Sequence, residues 1–238
     1  MANFNESPFI ELDILSQPNE NTCGPTCLHA VYRYFNDHVD LGKLVHEVHS
    51  FEDGGTLAVW LGCHALERGY QAILYTYNLQ LFDPTWFTKE NVNLYKKLQQ
   101  QLRFKREQKL VRASKAFQDF LKLGGVVKLE DMNRDLLRKY LSQKLPKLAG
   151  LSSTFLYRSA REKGVEYDDI RGEPSGHFVV LCGYNKETKQ VLVADPLASN
   201  PYSPTRKYEV HLDRVICSIL LGILPHDANF LIIRPKNR

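Results

Sequence analysis

One stretch constrains this chain more than any other: from His177 to Tyr184 the sequence is almost continuously apolar. A strand with one wet face alternates apolar and polar residues, so a run without alternation reads as a strand buried on both faces. Asn185-Lys186-Glu187-Thr188-Lys189 then makes a turn, and Gln190 to Ala194 returns as the partner strand. His177 opens the outgoing strand and Asp195 closes the returning one. In a hairpin of this length those two ends lie side by side, so an imidazole and a carboxylate can meet across the ladder. Pro196 biases Asp195 toward an extended backbone, which helps to hold its side chain in place.

The remainder grades from helix to strand. Residues 8–15 alternate weakly and predict an edge strand. A helix is expected from Cys23 to about Phe35, with Cys27, Leu28, Val31, Tyr34 and Phe35 on one face. Asp40 caps a helix over 41–49, Phe51 to Gly55 is a turn, and Thr56 caps a third helix over 57–68 that Gly69 ends. Gln71 to Tyr77 reads as a strand rich in aromatic and β-branched residues. Residues 89–123 read as two helices, stopped at Leu123-Gly124-Gly125, with a short strand after them. A helix over 131–144, a strand over 148–156 and a polar loop over 158–175 lead to the hairpin. Beyond it come a loop over 196–205, a strand over 206–210, a helix over 210–221 and a closing strand over 229–233. The fold class is therefore α+β. A helical part, about 20–145, packs on an antiparallel sheet part, about 146–238, in a single domain spanning 1–238.

The front of the chain holds the reactive group. In Gln17-Pro18-Asn19-Glu20-Asn21-Thr22-Cys23-Gly24-Pro25-Thr26-Cys27, the thiol of Cys23 stands at the mouth of the first helix. Pro25 suits a first turn, where its missing N–H is not needed, and Thr22 stands at the cap. A thiol at a helix N-terminus feels the positive end of the peptide dipoles, which favours the nucleophilic thiolate. Gln17, six residues earlier, can offer an amide N–H to an oxyanion beside that thiol, with the Cys23 backbone N–H as second donor. Cys23 needs a base, and His177 has the right range to accept its proton. His177 needs its ring plane and tautomer fixed, and Asp195 can accept the other ring N–H. Each of these residues alone has an ordinary structural explanation. Together, in the order Gln, Cys, His, Asp, they point to a thiol catalytic site.

QPNENTCGPTC, followed much later by GHFVVLCGYN and VLVADP, resembles the papain-like cysteine peptidases. Within them it is most similar to the bacteriocin-processing, double-glycine peptidase family and its stand-alone relatives. The match covers the first 35 residues and about 145–235, and only loosely the stretch between. The resemblance implies a papain-like fold, with a helical lobe carrying the thiol and a sheet lobe carrying the histidine, and the substrate in the cleft between. It places the family's oxyanion glutamine on Gln17, the nucleophile on Cys23, the base on His177 and the orienting carboxylate on Asp195. The membrane and ATP-binding parts of transporter-linked members are not expected in this chain.

The expected activity is thiol hydrolysis of a peptide or other amide bond through a thioester. Two alternatives stand beside it: an acyltransferase or transglutaminase-like enzyme using the same thioester, and a silent binding module on this fold. No cofactor is called for. Cys23, Cys27 and His29, or His46, His49, Cys63 and His64, are the candidate metal ligands, but neither set has a familiar spacing, so no metal site is expected. Cys27, Cys63, Cys182 and Cys217 fall in apolar patterns and read as core, and Trp60 and Trp86 as buried packing. Five cysteines without a CxxC pair suggest a reducing compartment, and the N-terminus has no signal-peptide pattern. The apolar stretch Val215 to Leu224 is too short to span a bilayer and reads as a buried helix. The expectation is a cytoplasmic protein with no membrane partner. The window 89–123 carries ten basic residues against three acidic ones, more than the whole-chain net charge of +4. Without a phosphate-binding loop or base-stacking pattern it reads as a solvated face, with an anionic partner as the alternative and no nucleic acid expected.

Overall fold

The computed structural model describes residues 9–52, 54–164, 166–223 and 228–236. Pro8, Asp53 and Leu224, which the sequence assigns to a strand, a turn and a helix, lie outside the described residues. In chain order, Cys23–Tyr34 forms α1, Leu41–Glu47 α2 and Ala58–Glu67 α3. Strand β1 (Tyr70–Thr76) follows, then a 3-10 turn at Pro84–Phe87, α4 (Leu94–Gln101), α5 (Gln108–Lys122), β2 (Val126–Lys128) and α6 (Arg134–Leu141). The rear contributes β3 (Lys147–Ser152), α7 (Ser153–Tyr157) and the short paired strands β4 (Glu162–Lys163) and β5 (Glu166–Tyr167). After these come β6 (Gly176–Asn185), β7 (Gln190–Ala194), β8 (Lys207–His211), α8 (Leu212–Leu220) and β9 (Asn229–Pro235).

Seven strands make one sheet in the order β2-β1-β9-β3-β6-β7-β8. Its pairings are antiparallel except between β1 and β2. Strand β9, the last in the chain, inserts between β1 and β3 and so joins the front of the sequence to the rear. Residues of β6 alternate between two cores. Phe178, Val180 and Cys182 pack with α1, α3 and α5, whereas Val179 and Leu181 pack with α6 and α8. That division is why the run His177–Tyr184 lacks polar alternation. The expected helices over 131–144 and 210–221, seen as α6 and α8, cover the second face of the sheet.

The first helix is buried along its length from Cys23 to Tyr32, rather than on one stripe. Gly24 is the tightest point. A Cβ there would stand 2.5 Å from the Thr56 methyl and 3.3 Å from Leu61 and Phe178, so no other residue fits between α3 and β6.

Local chemistry moved several expected boundaries. Thr56 does not cap α3: its hydroxyl donates to the His49 carbonyl at 2.6 Å, and Leu57 takes the cap position. The strand expected over 148–156 stops at Ser152, whose hydroxyl accepts from the Phe155 N–H and starts α7. Asn133 caps α6 through the Leu136 N–H at 2.8 Å, which trims the helix expected over 131–144. Residues 9–15 make only a bridge from Phe9 to Gly183, not a strand. The polar loop 158–175 holds the small β4–β5 pair and a second bridge from Glu162 to Glu173. Cys27, Cys63 and Cys182 are buried as expected, but Cys217 faces outward from α8 and is exposed. In the basic window Leu98, Leu110, Phe117 and Phe120 turn inward while Lys96, Lys97 and Lys115 are exposed. Trp60 and Trp86 are partly buried against Phe51 and Phe82. Among the described residues no helix is long and apolar enough to cross a membrane.

Candidate active site

Cys23 is the first residue of α1 and is 9% exposed. The turn before it is closed by Thr22, whose hydroxyl donates to the Asn19 carbonyl at 2.9 Å and accepts from the Asn19 N–H at 3.2 Å. Thr22 therefore makes no side-chain cap, and the expected capping bond is absent. Cys27, one turn further on, is sealed, and its thiol donates to the Phe178 carbonyl at 3.3 Å. Burial, and then the neighbouring Cys23, push the Cys27 thiol well up.

His177 is the second residue of β6, opposite Leu151 of β3. Asp195 follows the last residue of β7, and its N–H donates to the Arg206 carbonyl at 2.9 Å. Because Val180 pairs with Ala194, His177 and Asp195 meet on the diagonal rather than directly across the ladder. His177 Nε2 lies 2.9 Å from Asp195 Oδ1. Cys23 stands near enough to His177 for its charge to act on the imidazole. Nε2 being taken by the carboxylate, Nδ1 is the ring nitrogen left for the sulfur.

The charges follow from this chain of contacts. Burial works against a charged His177 and is the largest influence on it. The hydrogen bond to Asp195, the neighbouring Cys23 and the charge of the carboxylate outweigh it and push the imidazole up to about 10. Burial likewise opposes the Asp195 carboxylate, but hydrogen bonds from His177, Tyr157 and Tyr208 hold it below its ordinary value. Asp195 is fully sealed from solvent, and every acceptor direction is used. Oδ1 also takes the Leu197 N–H at 2.9 Å, and Oδ2 takes the hydroxyls of Tyr157 and Tyr208 at 2.6 Å each.

Those two tyrosines escape the sequence reading. Tyr208 reaches Asp195 only because β8 pairs with β7 in a register that no turn signal specifies, and Tyr157 because α7 interrupts the expected strand. The available signal was indirect: a carboxylate expected in a buried hairpin end needs more donors than one imidazole supplies.

Gln17 is half-buried and reaches the site from the loop before α1. Its backbone N–H donates to the Pro196 carbonyl at 2.9 Å, which ties that loop to the residue after Asp195. Its Nε2 donates to the Asn19 carbonyl at 2.9 Å, using one of two amide hydrogens, and its buried Oε1 has no partner. Gln17, Tyr157 and His177 line one open cleft of about 690 Å³, with Tyr167 from the 158–175 segment on its wall. The alternative metal sets do not assemble. His64 is held by the Tyr32 hydroxyl at 2.9 Å and Glu47 at 3.2 Å, and among the described residues no group of three or more His, Cys, Asp and Glu converges.

Comparison with known proteins agrees with the sequence resemblance. The model of the Peptidase_C39 like family matches residues 9–214. Among solved structures, the chain is similar to a double glycine motif protease from an AMS/PCAT transporter in complex with the leader peptide. The identity is 14%, with 96% of this chain and 94% of that chain covered and a TM-score of 0.47. It is also similar to the peptidase domain of Streptococcus ComA, a bi-functional ABC transporter involved in a quorum sensing pathway. Here the identity is 12%, the coverage 94% and 98%, and the TM-score 0.43. No curated protein matches the chain.

Proposed function

This chain belongs to the Peptidase_C39 like family, and on that premise we propose that it is a cysteine peptidase cleaving a peptide or other amide bond with Cys23, His177 and Asp195. The observation that carries the proposal is the 2.9 Å contact of Asp195 with His177, which has Cys23 near enough to act on its imidazole and itself lines an open cleft with Gln17. His177 takes the proton of the Cys23 thiol, which forms a thiolate–imidazolium pair. The sulfur attacks the carbonyl carbon, and the oxyanion is held by the Cys23 N–H and the second Nε2 hydrogen of Gln17. As the C–N bond breaks, His177 gives its proton to the leaving amine and a thioester remains. A water then loses a proton to His177 and attacks the thioester. The acid leaves, and the thiolate–imidazolium pair returns.

The reach of the sheet, from β1 to β9, supports reading the chain as one domain. A library of peptide amides incubated with wild-type protein and with Cys23→Ala tests the proposal. Cleavage is expected from the wild type alone, with a covalent adduct on Cys23 when a peptide aldehyde is added. Cleavage that survives Cys23→Ala would overturn it. Added amine that diverts product from acid to amide would assign the same thioester to acyl transfer.

A further inference from the structure

We propose that Tyr157 and Tyr208 are positioning residues, whose two hydroxyls together lock Oδ2 of Asp195 so that Oδ1 faces His177 and the carboxylate stays ionised. This rests on the reading of Cys23, His177 and Asp195 as a catalytic set.

The geometry is specific. Both hydroxyls reach the same oxygen at 2.6 Å, the separation of a hydroxyl bonded to an ionised oxygen. They arrive from unrelated elements, Tyr157 from the end of α7 and Tyr208 from β8. A phenylalanine would fill either space, so burying a hydroxyl here needs a partner, and the carboxylate is that partner. Without the two donors Oδ2 would be a sealed, unpaired anionic oxygen, and the group would take up a proton instead. Tyr202 braces both rings, with centroids 6.2 Å from Tyr157 and 4.8 Å from Tyr208, and anchors its own hydroxyl on the Leu156 carbonyl at 2.7 Å. The Leu197 N–H and the tyrosine pair fix the carboxylate plane from both sides, which fixes the tautomer of His177 and leaves Nδ1 for the sulfur. Tyr157 also lines the cleft, so its hydroxyl connects the wall that substrate touches to the buried carboxylate.

The titratable groups facing Asp195 among the described residues are His177, Tyr157 and Tyr208, with Cys23 and Cys27 on α1 and Tyr202 behind. Hydrogen bonds to the charged form lower a carboxyl's pKa, so their loss raises it. A protonated Asp195 no longer supports the imidazolium, and the thiolate is lost with it. The test is the pH dependence of Cys23 alkylation by iodoacetamide, mapped by peptide mass spectrometry, in four proteins: wild type, Y157F/Y208F, D195N and the triple variant. Wild type is expected to react through a low-pH shoulder. Y157F/Y208F is expected to move the acid inflection up by about one pH unit, the scale on which hydrogen bonds shift a carboxylate. In the D195N background the same two substitutions are expected to move nothing, because there is no charge left to hold. An equal shift in both backgrounds, or none in either, overturns the proposal. Should the double variant melt below working temperature, Y157F and Y208F singly, each leaving one donor on Oδ2, give the same comparison at smaller size. A wild type with no low-pH shoulder would instead overturn the catalytic reading beneath it.

Discussion

At one end of the site Asp195 accepts four hydrogen bonds and is sealed from water. At the other end Gln17 sits half-exposed on a loop, commits one amide hydrogen to Asn19 and leaves Oε1 unpartnered. The proposed base end is assembled by sheet register: β6, β7 and β8 bring His177, Asp195 and Tyr208 together. The proposed oxyanion end is held by two local ties, Gln17 to Pro196 and Thr22 to Asn19. The contrast follows from when each end acts. In the proposed mechanism an ion pair forms before substrate arrives, so its supports are built in. An oxyanion exists only in the transition state, so its donor has work only then.

The largest effect expected from this contrast is at the base end. His177→Ala should lower kcat by about 10⁶-fold, the scale of losing a triad histidine, and abolish fast alkylation of Cys23. A variant still within about tenfold of wild type would break the comparison at its stronger side. Gln17→Ala comes next, with kcat down about 10²–10³-fold and KM little changed, the cost of one oxyanion donor. Its alkylation profile should match wild type, because alkylation develops no oxyanion. A matching loss in both assays would show that Gln17 supports the ion pair instead.

Asp195→Asn sharpens the base end further. His177 must be protonated to deliver its proton to the leaving amine, so wild-type activity should persist with rising pH and fall only on approach to about 10. Replacing the carboxylate removes its charge, so that alkaline limb should move down by about one unit or more, read from the pH profile of kcat/KM. An unmoved limb would mean that Asp195 holds the ring by shape alone. The smallest effect is reserved for Cys27→Ala. That thiol is one turn from Cys23 on the same helix but points at Phe178 in the core. Turnover should stay within about twofold, while denaturant unfolding should show a loss of about 1–2 kcal/mol for the buried sulfur and its hydrogen bond.

Most of the proposed site is legible in the sequence because its signals are local or periodic. The unbroken apolar run of β6 requires cover on both faces, and the core on either side of Phe178 and Val179 supplies it. The Cys23 helix start and the Asp195-Pro196 hairpin end are likewise legible in short windows. What escaped depends on pairings between distant segments. The insertion of β9 between β1 and β3 has no local signature, since any apolar strand could occupy that slot. Tyr157 and Tyr208 look like ordinary aromatic residues until the register of β8 and the start of α7 are known. Cys217 was misjudged for a related reason: α8 packs through Leu212, Val215 and Ile219, and position 217 falls on its outer side despite apolar neighbours.

Cys217 also supplies an internal reference for the most direct test. Cys217 is exposed and Cys23 is only 9% exposed, so access alone favours Cys217. Treat the native protein with substoichiometric iodoacetamide at about pH 5.5, where ordinary thiols are almost wholly protonated, and map the first modified residue. A thiolate held by His177 predicts Cys23 first, with His177→Ala reversing the order. Alkylation of Cys217 first in the wild type, with Cys23 reacting only on unfolding, would contradict it.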